Sequence, residues 1–166
     1  PVTYTNQPVT VTARADGYAQ QSTTATVYND LTTTVDFLLE KAFTNARTVV
    51  RDGVEYTVAT DRAVYAVGRR WGTLTTCTVR YTVVNGSDHP VTFSFSSGCR
   101  FDMAAVSSAG DTTYHYMQGR DCTPALTELA LAPGDTAFME YEPFVLQTTP
   151  DSLTVSAWLV GYPQTT

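Results

Sequence analysis

A single lysine, Lys41, and two histidines, His89 and His115, stand in a chain of 166 residues of which only 16% are charged. Ten cations against sixteen anions leave a net charge of −6. A phosphate backbone would be repelled, and Arg69-Arg70 is too small a cluster to reverse that, so nucleic acid is not an expected partner. No apolar run approaches the roughly 18 to 20 residues of a membrane-crossing helix, and membrane insertion is not expected. The three cysteines, Cys77, Cys99 and Cys122, form no CxxC pair and no Cys/His spacing, which leaves no zinc signature. G-x-S-x-G, H-E-x-x-H, a Gly-rich phosphate loop and EF-hand spacing are also missing. Neither catalytic residues nor a metal or cofactor is therefore expected.

What is present is β-forming. Thirty threonines and ten tyrosines describe a chain rich in strand formers. Cys77, Val79, Tyr81 and Val83 alternate with Thr76, Thr78, Arg80 and Thr82, the period of a strand with one dry face. Asn85-Gly86-Ser87-Asp88 follows as a turn and Pro90 ends it. Val91, Phe93 and Phe95 then alternate with Thr92, Ser94 and Ser96, so the stretch reads as an antiparallel hairpin lining a sandwich core.

Residues 1–41 read as a short meander. Val9, Val11, Ala13 and Ala15 alternate with polar neighbours, Asp16-Gly17-Tyr18 turns, Ser22 to Tyr28 is Thr-rich, and Asn29-Asp30 turns again. Thr33, Val35, Phe37 and Leu39 then share one face of a strand. VTVTARADGYAQQSTTATVYNDLTTTVDFLLE resembles the C-terminal half of transthyretin-like, carboxypeptidase regulatory-like Ig-fold modules. The resemblance implies that the front half of such a module must be supplied by later segments or by another molecule. Three strands leave edges and an apolar face uncovered.

Residues 42–166 carry the larger domain. Asp52-Gly53 joins Asn45–Val50 to Val54–Val58, Ser107 to Asp111 joins Phe101–Val106 to Thr112–Met117, and Ala132-Pro133-Gly134-Asp135 follows Leu126, Leu129 and Leu131. Leu153, Val155, Ala157 and Leu159 form the closing strand. Tyr65-x-x-Gly68, TVRYTVVN, PVTFSFSSGCRFD and LTELALAPGD, in that order, resemble the BsuPI-type domain family, the intracellular proteinase inhibitor fold, over residues 58–162. Asn85, Ser97-Gly98, Phe101-Asp102 and Leu131-x-Pro133-Gly134 carry the likeness. Thr113 to Tyr116 stands where the family shows a Trp-containing strand, and Gln147 to Asp151 replaces a Gly-led turn. The fold class expected is thus all-β: an Ig-like, BsuPI-like antiparallel sandwich preceded by a smaller, incomplete Ig-like meander.

Turn signals on both sides of Cys99 and Cys122 make a disulfide between them easy, worth about 3 to 4 kcal/mol by loop closure, against the alternative of two reduced thiols. Cys77 reads as a buried free thiol. His89 reads as a solvated loop residue, and Glu140 with Glu142 as a solvated strand face. Asn85-Gly86-Ser87 meets the glycosylation pattern, yet a turn explains it.

The function expected is that of a non-catalytic, extracellular structural protein associating with copies of itself through strand edges in a filament or adhesive fibre. Val9, Val11, Val35, Phe37 and Leu39 are the candidate self-association residues, and Arg69, Arg70 and Trp71 a candidate partner-contact loop. The near-absence of Lys, which guards exposed edges, and the opening at Pro1, as in a processed or excised chain, support that expectation. The alternative is a proteinase inhibitor or a general extracellular binding module holding a protein ligand. Its candidate loops are Gly68 to Gly72 and Gly119 to Asp121.

Overall fold

The computed structural model describes residues 7–28, 31–65, 75–146 and 152–163. The chain divides into two compact units, Pro1–Ala42 and Phe43–Thr166.

In the first unit β1 (Gln7–Ala13) and β2 (Gln21–Val27) pair antiparallel from Gln7 opposite Val27 to Ala13 opposite Gln21. Thr12 and Ser22 hydroxyls meet across the pair at 2.9 Å. The third strand expected over Leu31 to Leu39 is not a strand. Val35, Phe37 and Leu39 are half-buried and alternate with exposed Thr34, Asp36 and Leu38, but this segment has no ladder. Its end is tied by Ala19 N–H donating to Glu40 O at 2.7 Å and Ala42 N–H to Gly17 O at 2.9 Å, and nearer its start the Thr33 hydroxyl donates to Thr26 O of β2 at 3.5 Å. Alternation reports which side chains are tucked in, and an extended segment satisfies it without a neighbouring strand.

The second unit begins with β3 (Asn45–Arg51) and β4 (Val54–Thr60). Asp52 (φ 52°) and Gly53 (φ 76°) are both left-handed, the type I′ geometry that matches strand twist and that Asp-Gly adopts at low cost. After β5 (Thr76–Cys77) come β6 (Val79–Asn85), β7 (Val91–Phe95), β8 (Phe101–Ser107) and β9 (Thr112–His115). They are followed by β10 (Thr127–Leu131), β11 (Thr136–Glu140), β12 (Phe144–Val145) and β13 (Leu153–Leu159). The pairing orders are β11-β6-β4-β3, β13-β8-β9, β10-β7 and β12-β5, all antiparallel. Inward side chains of the four-stranded sheet, among them Val58, Val79, Tyr81 and Val83, share one core with Phe93, Phe95, Met103, Ala105, Ala157 and Leu159. Tyr81 meets Phe101 edge-on at 6.3 Å and Tyr56 meets Phe93 at 6.4 Å. This is an Ig-like sandwich: alternate residues of both layers point inward and close over each other.

The hairpin expected between β6 and β7 does not exist. β6 pairs with β4 and β11, while β7 pairs with β10. The connection crosses between pairings, and Asn85 is the reason. Fully buried, it donates from Nδ2 to His89 O (2.8 Å) and Leu131 O (2.9 Å), and its Oδ1 accepts from Ser87 N–H (3.0 Å) and Ser87 Oγ (2.6 Å). Its backbone exchanges bonds with the next turn, Asn85 N–H to Asp135 O at 3.0 Å and Gly134 N–H to Asn85 O at 2.7 Å. Asn85 therefore clasps the corner after β6 to the corner after β10. Its buried amide has no room for a sugar, so the glycosylation pattern is a structural asparagine. β11 lies on β6 and the closing strand β13 on β8.

Candidate functional site: a braced loop beside the disulfide

Between β9 and β10 the chain makes an exposed excursion. Two overlapping turns start it, Gln118 N–H donating to His115 O (3.2 Å) and Arg120 N–H to Met117 O (3.1 Å). A tight turn centred on Pro124 ends it, Ala125 N–H to Thr123 O at 2.8 Å. Gln118 to Asp121 and Thr123 to Leu126 are exposed, and Leu126 is 88% exposed.

Several ties hold this excursion to the sandwich. Cys99 and Cys122 are joined in a disulfide with Cα atoms 5.5 Å apart. Gly98 N–H donates to Thr123 O at 3.0 Å, Thr127 Oγ1 to Ser97 O at 2.8 Å, and Arg100 Nε to Thr127 Oγ1 at 3.4 Å. Gly98 has to be glycine, because a Cβ there would overlap Thr123 Oγ1. Arg120 reaches Glu142 at 3.0 Å and lies 4.1 Å over the Tyr116 ring. Tyr116 meets Tyr141 edge-on at 4.7 Å, and Tyr141 Oη donates to Asp102 O at 2.7 Å in the core. A hollow of about 490 Å³ lies beside the loop, lined in part by Cys99, Arg100, Phe101, Met117 and Arg120.

The other candidates are placed as follows. Arg69, Arg70, Trp71 and the Gly68 to Gly72 loop lie outside the described residues, as does Gln147 to Asp151. Val9 is exposed, while Val11, Val35, Phe37 and Leu39 are half-buried. Glu140 and Glu142 do not act together, since Arg80 holds the first at 2.9 Å and Arg120 the second. His89 is exposed and contacts Asp88 at 3.0 Å. His115 Nε2 lies 3.0 Å from Asp102 Oδ2, whose other oxygen accepts from Met103 N–H at 2.7 Å. Among the described residues no hydroxyl or thiol hydrogen-bonds to that ring, and the pair ties β9 to β8. Cys77 is buried under a cleft of about 520 Å³ between β3 and β13. Burial pushes its thiol up to about 11, with the Asp61 carboxylate adding to the rise and a Tyr65 hydrogen bond opposing it. At neutral pH it is a protonated, inert sulfur. Among the described residues no three His, Cys, Asp or Glu side chains gather into a metal site.

Leu126 is a residue that sequence reasoning did not single out as a site. It directly precedes β10 and is out of step with Leu129 and Leu131. Thr127, Leu129 and Leu131 turn inward, and position 126 falls on the outward side. That parity was the available signal.

The loop from Met117 to Leu126 is thus a solvent-facing segment fastened to an Ig-like sandwich by a disulfide and long-range hydrogen bonds. By family comparison, residues 66–164, more than half of the chain, match the BsuPI model, described as intracellular proteinase inhibitor, and the chain belongs to that family. No curated protein matches the chain. The family is one of inhibitors, not catalysts.

This membership corrects two expectations. The filament-forming structural role is overturned by a family defined by proteinase inhibition. Thr-rich strands and uncovered edges, from which that role was inferred, are equally compatible with a solvated surface and carry no information about polymerisation. The extracellular placement is overturned by the same description, which is intracellular.

Proposed function

We propose that the second unit inhibits a proteinase by presenting the loop from Met117 to Leu126 to the enzyme's cleft, with Leu126 as the anchoring side chain. The carrying observation is the combination of an 88% exposed leucine with a loop tied down by a disulfide, two long-range hydrogen bonds and a charged contact. A loop already held in its bound shape loses little conformational freedom on docking, so contact area is converted to affinity efficiently. A lone exposed leucine is otherwise unremarkable, but at the end of a preorganised loop, directly before β10, it fits an apolar specificity pocket. The chain does this without catalysis, as a protein ligand of the enzyme.

The test is a panel of serine, cysteine, aspartic and metallo-proteinases assayed with the whole chain. One class should be inhibited, and Leu126→Asp should weaken inhibition of it by about 30-fold or more, the cost of losing a central anchor. Thermal stability should be unchanged, because Leu126 touches solvent. Inhibition that is indifferent to Leu126→Asp would remove the loop from the interface. No inhibition of any class would remove the reading altogether.

A further inference from the structure

Resting on that reading, we propose that the Cys99–Cys122 bond is a site of reversible thiol–disulfide exchange, and that a dithiol reductant weakens inhibition by releasing the loop. The two half-cystines differ from the third cysteine. Cys77 is 2% exposed, whereas Cys99 and Cys122 are both partly exposed, Cys122 between exposed Asp121 and Thr123. Cys99 also lines the hollow that opens beside the loop, together with Arg100 and Arg120. An attacking thiolate is an anion, and so is the sulfur it displaces. Arg100 and Arg120 line the hollow with Asp121, and since Glu142 already pairs with Arg120 at 3.0 Å, Arg100 is the cation left to favour both. A family described as intracellular works where thiol reductants are abundant.

The step balances. One thiolate of the reductant attacks Cys99 Sγ and the Cys99–Cys122 bond breaks, with Cys122 leaving as thiolate. The reductant's second thiolate then attacks the mixed disulfide and frees Cys99. Two electrons and two protons pass to the protein, which ends with two thiols, and the reductant ends as its own disulfide. The remaining ties are the Gly98–Thr123, Ser97–Thr127 and Arg100–Thr127 hydrogen bonds, Arg120 over the Tyr116 ring, and the Arg120–Glu142 contact, whose side chains are 39% and 79% exposed. An exposed ion pair holds little. Neither Cys99 nor Cys122 belongs to the buried core cluster, so reduction should loosen the loop and leave the sandwich folded.

The experiment exposes the whole chain to dithiothreitol under native conditions and traps thiols with N-ethylmaleimide. It then measures labels per chain, amide hydrogen exchange and inhibition. The expected result is two labels per chain with Cys77 unlabelled, about tenfold or faster exchange over 117–126, unchanged exchange in β4, β6 and β8, and inhibition about tenfold weaker. Cys99→Ser with Cys122→Ser should reproduce the reduced state and ignore dithiothreitol. Labels appearing only in denaturant would overturn the proposal, as would a third label on Cys77, which would mean that reduction unfolds the core. Unchanged loop exchange or unchanged inhibition after two-site labelling would overturn it too. Should no proteinase be inhibited in either state, the functional reading fails, and labelling with loop exchange decides whether the bond is exchangeable.

Discussion

Replacing Asn85 by alanine tests whether a single buried amide holds two corners of the sandwich together. The substitution removes four side-chain hydrogen bonds, two donated by Nδ2 and two accepted by Oδ1. Leu131 O loses its buried partner, at about 1 to 3 kcal/mol for an unsatisfied buried group. The groups at Ser87 and His89 are nearer water and can be rehydrated, at about 0.5 kcal/mol each. The sum is about 2 to 4 kcal/mol, which for a unit of this size lowers Tm by about 7 to 15 °C. Urea unfolding followed by near-ultraviolet circular dichroism would measure it, with an unchanged m-value marking a change of stability alone. Asn85→Asp sharpens the test. It keeps one acceptor but turns an oxygen toward two carbonyl oxygens, so it should be no better than alanine at neutral pH and should recover in part on acidification, when the protonated acid can donate. A loss below about 1 kcal/mol in Asn85→Ala, or wild-type stability in Asn85→Asp at neutral pH, would refute the clasp.

Three further outcomes are expected. Tyr141→Phe removes the 2.7 Å bond to Asp102 O and should cost about 1 to 2 kcal/mol in chemical denaturation, with Tyr116 and Arg120 losing part of their support. Because burial raises the Cys77 thiol to about 11 in the folded state from an ordinary 9.0, the unfolded chain ionises first as pH rises. Stability is therefore complete below pH 9 and falls as pH approaches 11, and Cys77→Ala should flatten that slope in a denaturation series, whereas identical slopes would contradict it. Gly98→Ala must displace Thr123 and should reduce inhibition along with stability, and a second change, Thr123→Ala, should restore much of both by vacating the space.

Legibility from the sequence was uneven, for a physical reason. The Asp52-Gly53 turn, the β8–β9 pair and the corner at Pro133-Gly134 depend on local backbone preferences, and each lies where its residues indicated. Period-2 alternation also located the faces that are buried. Neither signal specifies neighbours, so β6 and β7 were joined as a hairpin although both are committed to distant strands. Asn85-Gly86 looks like a hairpin turn because the amide that redirects the chain bonds to Leu131, 46 positions on. The braced loop was half legible. Cys99, Cys122 and the turn at Gly119 pointed to it, but the Gly98–Thr123 contact and the support of Arg120 by Glu142 and Tyr116 are long-range and leave no local trace. Leu39 and its neighbours show the limit from the other side, since the right faces were tucked in with no strand to pair them.

The crossing after β6 also sets how the second unit comes together in time. Only β3 with β4 and β8 with β9 can zip from a short turn, whereas β6 with β11, β7 with β10 and β8 with β13 must first close long loops. Such non-local wiring places refolding in the range of milliseconds to seconds. During synthesis β8 waits for β13 to emerge before its second edge is covered, so the nascent domain depends on its final strand.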